Sequence, residues 1–411
     1  MQKTMRALVL DGAGFDHLSV REVPVPRPGP DQLLTRVDAA GICTSLIKLV
    51  EQGPAHKQVY GWDLARHPLI LGDEGTVTIL EAGANLRERY LPGARYVIQP
   101  AVDHEPIIHR ERYRNQARGV DKVAVGYTLP GHLAEYILVT EEVIAAGCIL
   151  PCPDLPYAHA AIAEPVSCVI SSQDHHVHLV QDDPLRPRGS VTGLRPGGVT
   201  VILGAGAMGR MHVELAISYR PRAIVVSDSI DARLAIVRGL FAGRAASGGV
   251  ELHAVNPRTS NLPEFVDRLT SSRGADDVIV AVGSARAIEE SQSLAGRGAV
   301  LNLFGGLKKG EDVVGFDTGI VHYREINVTG SSGGSPWDVA RTLELMATGA
   351  IDPAVHITRI GDLEHAIDFL RMIRGHELDG KAVVYPHRRI QEILTVRRWS
   401  REDERSYLAA G

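Results

Sequence analysis

The sequence predicts an α/β protein that joins a strand-rich, irregular domain to a doubly wound parallel sheet, and three observations predict it. Between Met5 and about Ala163, short apolar runs such as RALVL, LLTRV, TVTIL and AEYILV sit between Gly/Pro punctuation such as PVPRPGP, the pattern of strands and turns. From about Gly197, buried-strand runs (VTVIL, RAIVVSD, DDVIVAV, GAVLNLFG) alternate with helical stretches such as MGRMHVELAISY, which calls for parallel strands covered by helices on both faces. The third is length: 411 residues exceed the roughly 250–300 that one core serves, so two domains are expected.

After about Gly330 come the helix WDVARTLELMATG, the helix LEHAIDFLRMI and a final strand KAVVYP. Residues 387–411 read as a charged amphipathic helix, a solvated terminal helix or oligomer arm. The stretch Ser171–Pro196 reads as a polar loop at the change of texture. It carries His175, His176 and His178, where a metal site can be imagined, but histidines in such a loop are expected at the surface.

Hydrophobic residues at 44% and charged residues at 23% supply true cores and exclude a disordered chain. The net charge of −5 argues against a nucleic-acid partner. Four cysteines, Cys43, Cys148, Cys152 and Cys168, contain no CxxC pair, so neither a disulfide framework nor an oxidising compartment is expected. The opening apolar run is too short for a signal segment, and no run approaches the roughly 18 residues that span a bilayer. A cytoplasmic chain with no membrane partner is the expectation.

Gly204, Gly206 and Gly209 form GAGAMG between the strand VTVIL and a helix. In that context the first glycine makes the tight turn, the second admits a pyrophosphate to the backbone, and the third lets helix and strand pack. Asp228 ends the next strand, 19 residues after Gly209, where a carboxylate accepts hydrogen bonds from an adenosine ribose. It would repel a 2′-phosphate, and neither Ser229 nor Ile230 offers a cation, so NAD is expected over NADP. Ala207 and Met208 in the turn, and Arg233 beyond Asp228, complete the expected cofactor contacts.

As a whole the sequence resembles the medium-chain, zinc-dependent alcohol dehydrogenase family. The motifs MRALVL, VREVPVPRPGPDQLLTRVDAAGIC, HPLILGDEG, PGARYVIQP, GHLAEYILV, AEPVSC, GAGAMG and NVTGSSGG carry the likeness over nearly all of residues 5–386. The resemblance implies a GroES-like catalytic domain, a distorted β-barrel made from residues 1–168 and 331–411, with a Rossmann NAD-binding domain over 169–330. It also implies one catalytic zinc, at positions that here are Cys43, Asp73, Glu164 and the adjacent Glu74.

Two departures belong together. The family's metal-binding His is Asp73 in this chain, and the Asp that usually orients that His is Leu46, within Cys43-Thr44-Ser45-Leu46. Zinc accepts carboxylate oxygen, and a second carboxylate behind Asp73 would only repel it, so the resemblance implies either a carboxylate-rich zinc site or one that has lost the metal; the first is favoured. Ser45 matches the hydroxyl that carries the alcohol proton, and Lys48 a distal relay position that could hand that proton to solvent, hold a substrate oxygen or phosphate, or be a solvated surface lysine. No cysteine lies between Cys43 and Cys148, so no structural zinc is expected; the lobe there carries Arg110, Arg112, Arg114 and Arg118.

The expected activity is NAD-dependent, zinc-assisted interconversion of a polar secondary alcohol, of polyol, sugar or sugar phosphate kind, and its ketone. Two alternatives stay open at this point: a zinc-free reductase acting on an activated double bond or quinone, and a non-catalytic NAD-binding sensor or structural protein. A small-molecule alcohol or ketone is the expected partner, and a homodimer or homotetramer the expected assembly.

Overall fold

The structure, a computed structural model, describes residues 3–102, 122–307 and 310–410. The four lobe arginines, Arg110, Arg112, Arg114 and Arg118, lie outside the described residues. The chain divides into two compact units, Met1–Ser167 with Gly334–Gly411, and Cys168–Gly333.

In the first unit the strand Leu33–Gly41 is buried along almost its whole length, since LLTRVDAAG offers small or apolar residues to both faces. Glu74–Ala82 and, from the far end of the chain, Lys381–Val384 pair with it antiparallel. Gly41 therefore stands opposite Glu74 in one ladder and opposite Val383 in the other. These strands form the middle of an eight-stranded sheet, and Leu18–Pro24, Thr4–Leu10 and Leu69–Ile70 make a second sheet of three. The stretch expected to be strand-rich and irregular also holds helices, among them Ser45–Gln52, whose Leu46, Leu49 and Val50 turn into the core at helical spacing.

The second unit is the expected parallel sheet. Its six strands lie in the order Glu251–Val255, Ala223–Ser227, Val199–Leu203, Ala275–Val280, Ala295–Asn302 and Asn327–Thr329, all neighbours parallel. This is the dinucleotide-binding order, with the glycine turn leaving the third strand. Val201 and Leu203 pack with Val225, Val278 and Leu301 on one face, while Ile202 packs with Ile224, Ile279 and Val213 on the other. Both faces are thus covered, as an apolar parallel sheet requires.

Two expectations are corrected. Ser171–Pro196 is not simply a surface loop: the helix Ala163–Asp174 enters it, and Val177–Val180 pairs with Gly189–Thr192 as a hairpin. His175 is exposed, but His176 and His178 are buried. The cause is Asp277, a carboxylate inside the parallel sheet, whose Oδ1 accepts from His176 Nδ1 at 2.6 Å and His178 Nε2 at 2.9 Å, while Oδ2 accepts the Arg195 N–H at 2.8 Å. Burial alone would raise the Asp277 carboxyl, but the two imidazole hydrogen bonds outweigh it and hold it at about 2. A depressed carboxylate stabilises the fold fully above its unfolded pKa and loses that contribution as pH falls toward the folded value. Urea unfolding of wild type should therefore lose about 1 kcal/mol between pH 5 and pH 3 that Asp277→Asn does not lose; equal losses in both would mean that the carboxylate is not held this way.

The second correction concerns residues 387–411. Only Arg401–Ala409 is helical, begun by a Ser400/Asp403 capping box. Before it the chain is irregular apart from the short strand Leu394–Thr395. Glu404 is buried, accepting the Tyr157 and Ala158 N–H groups at 2.7 and 2.8 Å and the Tyr385 hydroxyl at 2.7 Å. The tail is thus pinned to the helix Tyr157–Ala161 by a carboxylate and not by an apolar stripe. No described helix is long and apolar enough to cross a membrane.

Candidate active site

The nucleotide turn shows a separate reason for each glycine. Gly204 has φ +110°, and a Cβ there would stand 2.6 Å from Val282 Cγ1. A Cβ on Gly209 would meet the Gly204 carbonyl oxygen, so helix and turn can approach only without one. At Gly206 a Cβ would meet nothing within 4 Å, which leaves that backbone open to a ligand. Gly206 caps the helix Ala207–Ser218, and Ala207 and Met208 are half-buried in its first turn. Free N–H groups and the positive end of the helix dipole suit a pyrophosphate there.

Asp228 follows the strand Ala223–Ser227 and is buried. Its Oδ2 accepts the Ala205 N–H and its Oδ1 the Ile230 N–H, both at 2.9 Å, so the carboxylate also braces the glycine turn. The cation that positions 229 and 230 do not supply comes from Arg233, whose guanidinium is 3.8 Å from Asp228 Oδ2.

The expected metal ligands lie in the first unit. Cys43 leaves the strand Leu33–Gly41 just before the helix Ser45–Gln52, and Asp73 immediately precedes the strand Glu74–Ala82. Their meeting follows from the Gly41–Glu74 pairing. Asp73 also depends on Gly72, which has φ +109° and whose Cβ would fall 2.6 Å from the Leu133 nitrogen. One ligand atom each from Cys43, Asp73 and Glu74 lie within 4.8 Å of one another. Glu164, in the first turn of the helix Ala163–Asp174, is buried close enough for its charge to act on Cys43, but it falls outside that group of three.

The two carboxylates share a pattern. Asp73 Oδ2 accepts from the Ser45 hydroxyl at 2.8 Å and lies 3.4 Å from the Tyr127 hydroxyl, whereas buried Asp73 Oδ1 has no hydrogen-bond partner among the described residues. Glu74 Oε1 accepts from Lys381 Nζ at 2.5 Å, whereas buried Glu74 Oε2 likewise has none. Unpartnered buried oxygens are costly. Beside a thiol they are a donor set that fits zinc, which takes sulfur and carboxylate oxygen.

The electrostatics point the same way. Burial, then the Asp73 and Glu74 charges, push the Cys43 thiol well above its ordinary range, and burial raises both carboxyls. Lys381 moves in the opposite sense for a cation in a dry site: burial would lower it, but Glu74 and Cys43 push it up to about 12. With both carboxyls ionised the group would hold more negative charge than the Lys381 ammonium offsets, and a divalent cation would balance it.

Sequence reasoning missed Lys381, Tyr127 and His56. Lys381 had a signal, since a lysine opening the apolar strand KAVV must be paired if that strand is buried. Tyr127 and His56 had none, because they reach the cluster through loops. His56 stacks on Tyr127 with ring centroids 5.5 Å apart. Lys48 is half-buried on the helix Ser45–Gln52 and acts electrostatically on His56.

Comparison with known proteins identifies the family. The alcohol dehydrogenase GroES-like domain matches residues 29–150, and the zinc-binding dehydrogenase domain matches residues 207–348. Mannitol-1-phosphate 5-dehydrogenase of Aliivibrio fischeri is 31% identical over 94% of this chain and 88% of its own length. L-sorbose 1-phosphate reductase of Klebsiella pneumoniae is 27% identical over 86% of this chain and 82% of its own. A solved Sinorhizobium meliloti protein bound to NADP, described as a candidate zinc-binding dehydrogenase, is 27% identical, with TM-score 0.71 over 94% of this chain and all of its own. The chain belongs to the zinc-dependent medium-chain alcohol dehydrogenase family. It is an oxidoreductase acting on alcohols, with a nicotinamide cofactor and zinc as the family's equipment.

Proposed function

We propose that this enzyme interconverts a polar secondary alcohol, of polyol, sugar or sugar phosphate kind, and its ketone, with NAD as the hydride carrier and one zinc held by Cys43, Asp73 and Glu74, with Glu164 close by. The observation that carries the reading is the pair of buried, unpartnered oxygens, Asp73 Oδ1 and Glu74 Oε2, next to the Cys43 thiol. When bound, zinc supplies Lewis acidity to the substrate oxygen and the nicotinamide supplies the hydride acceptor.

The chain's own groups hold the substrate hydroxyl. Ser45 Oγ donates to Asp73 Oδ2, which turns the Ser45 lone pairs to the substrate hydroxyl, so that Ser45 can accept its hydrogen bond and hold it in place. Tyr127 steadies that same carboxylate oxygen. A polar substrate is supported by the names of two relatives, which refer to a phosphorylated hexitol and a phosphorylated ketose. Stoichiometric zinc in purified protein, lost together with turnover in Cys43→Ala, is the expected result. Undiminished activity in that variant would sink the zinc mechanism.

NAD is favoured because the Asp228 carboxylate stands where a 2′-phosphate would meet it, while Arg233 is already directed to that carboxylate. Asp228→Ala is expected to relax discrimination against NADP by about tenfold or more, roughly 1.4 kcal/mol. The measurement is kcat/KM with each cofactor, and a wild type that prefers NADP would reverse this assignment.

A further inference from the structure

We propose that the hairpin of residues 177–192 is a self-association surface, packing face to face on the same hairpin of a second copy of this chain about a two-fold axis that runs along it. The proposal concerns the nucleotide-binding unit alone and does not depend on the reading of the metal site.

The hairpin is anchored on one side and bare on the other. Its strands, Val177–Val180 and Gly189–Thr192, form a two-stranded sheet of their own. Such a ribbon is marginal in water unless a further layer covers its apolar face. On the inner side His176 and His178 donate to the buried Asp277 carboxylate, and Asn327 Nδ2 donates to the Val177 carbonyl at 3.2 Å. Side chains alternate along a strand, so Val177 and Leu179 leave on the face opposite His178, and the register sets Thr192 and Ser190 beside them. On that outer face Leu179 is 63% exposed, and Leu185 at the tip is 94% exposed. Of the twelve exposed large hydrophobic side chains among the described residues, five belong to this hairpin: Val177, Leu179, Val180, Leu185 and Val191. Such side chains scattered singly need no explanation, whereas five gathered on one ribbon mark a contact surface.

The charge pattern selects the occupant. The outgoing strand leads into Asp182 and Asp183, and the returning strand is preceded by Arg186 and Arg188, all four exposed. A two-fold axis parallel to the ribbon lays the outgoing strand of one copy over the returning strand of the other, at the usual sheet-to-sheet spacing of about 10 Å. The acidic pair of each copy then faces the basic pair of the other. The two Leu179 side chains pack diagonally across the axis, and the two Leu185 tips come together. Asp183 and Arg186 lie 3.4 Å apart within one hairpin, an exposed ion pair whose rearrangement costs little. A pattern that is its own complement suits an isologous contact, because a partner of one sign of charge would set like charges against half of it.

Size-exclusion chromatography with light scattering on the full chain tests the proposal. Wild type at micromolar concentration is expected to be an oligomer with an even number of subunits. Leu179→Asp, on an exposed face where it disturbs no core, should halve that mass with an unchanged far-UV circular dichroism spectrum. At low salt, Asp182→Lys with Asp183→Lys, and separately Arg186→Glu with Arg188→Glu, should each weaken association at least tenfold by opposing like charges. An equimolar mixture of those two double variants should form a heterodimer and recover the wild-type affinity, which a general loss of stability could not produce. A monomeric wild type would leave the face to a partner other than a second copy and overturn the proposal. A mass unchanged in Leu179→Asp, or a mixture that associates no better than its components, would overturn it equally.

Discussion

Asp73→Asn is expected to lose most of its zinc and to lower kcat/KM by about a thousandfold, the equivalent of roughly 4 kcal/mol of lost Lewis-acid stabilisation. The substitution keeps the shape of the side chain, so an oxygen can still accept from Ser45 and Tyr127, and what disappears is the anionic oxygen left without a partner in the buried cluster. Stability should respond differently from activity. Burial already works against the Asp73 charge, so the metal-free variant is expected to melt no lower than metal-free wild type. Metal analysis, steady-state kinetics and thermal melts with chelator check the three parts. Full zinc with full activity would place the metal elsewhere. Asp73→His should restore little, because Leu46 occupies the position from which the family's carboxylate would orient an imidazole.

The sequence made the nucleotide turn legible because each glycine there answers a local steric demand, and GAGAMG lies between a recognisable strand and helix. Cys43, Asp73 and Glu74 were legible as a group only through the order of family motifs, since the Gly41–Glu74 ladder that unites them is a long-range pairing. What escaped sequence reading shares a physical cause. His176 and His178 look like surface residues until Asp277, about a hundred positions later in the chain, draws them inward as donors. Glu404 looks like one more charge on a solvated helix until the N–H groups of Tyr157 and Ala158 and the Tyr385 hydroxyl claim it. Periodicity reports apolar faces, whereas a buried charge is placed by a partner far away in sequence, which no local pattern encodes.

Lys381 stands between the two cases, since the apolar strand KAVV signals that the lysine is buried but not that Glu74 is its partner, and it leads to the second large effect. Lys381→Met is expected to destabilise the metal-free protein by about 3–5 kcal/mol, the usual cost of leaving one member of a buried ion pair alone. Lys381 Nζ lies 2.5 Å from Glu74 Oε1 and 3.1 Å from the Ile42 carbonyl, and both side chains of the pair are almost wholly buried. Removing the ammonium leaves Glu74 beside Asp73 and Cys43 without its paired cation, in a site where burial already resists ionisation. Two further measurements separate charge from packing. Adding Glu74→Gln to Lys381→Met should recover part of the loss in urea unfolding, a coupling that a simple cavity would not show. Zinc should recover part of it as well, because a divalent cation next to the same oxygens replaces the missing positive charge. The destabilisation measured with zinc present should then be smaller than with chelator. A loss of equal size in single and double variants, unaffected by zinc, would mean that Lys381 fills space in the sheet and does not balance the charge of the site.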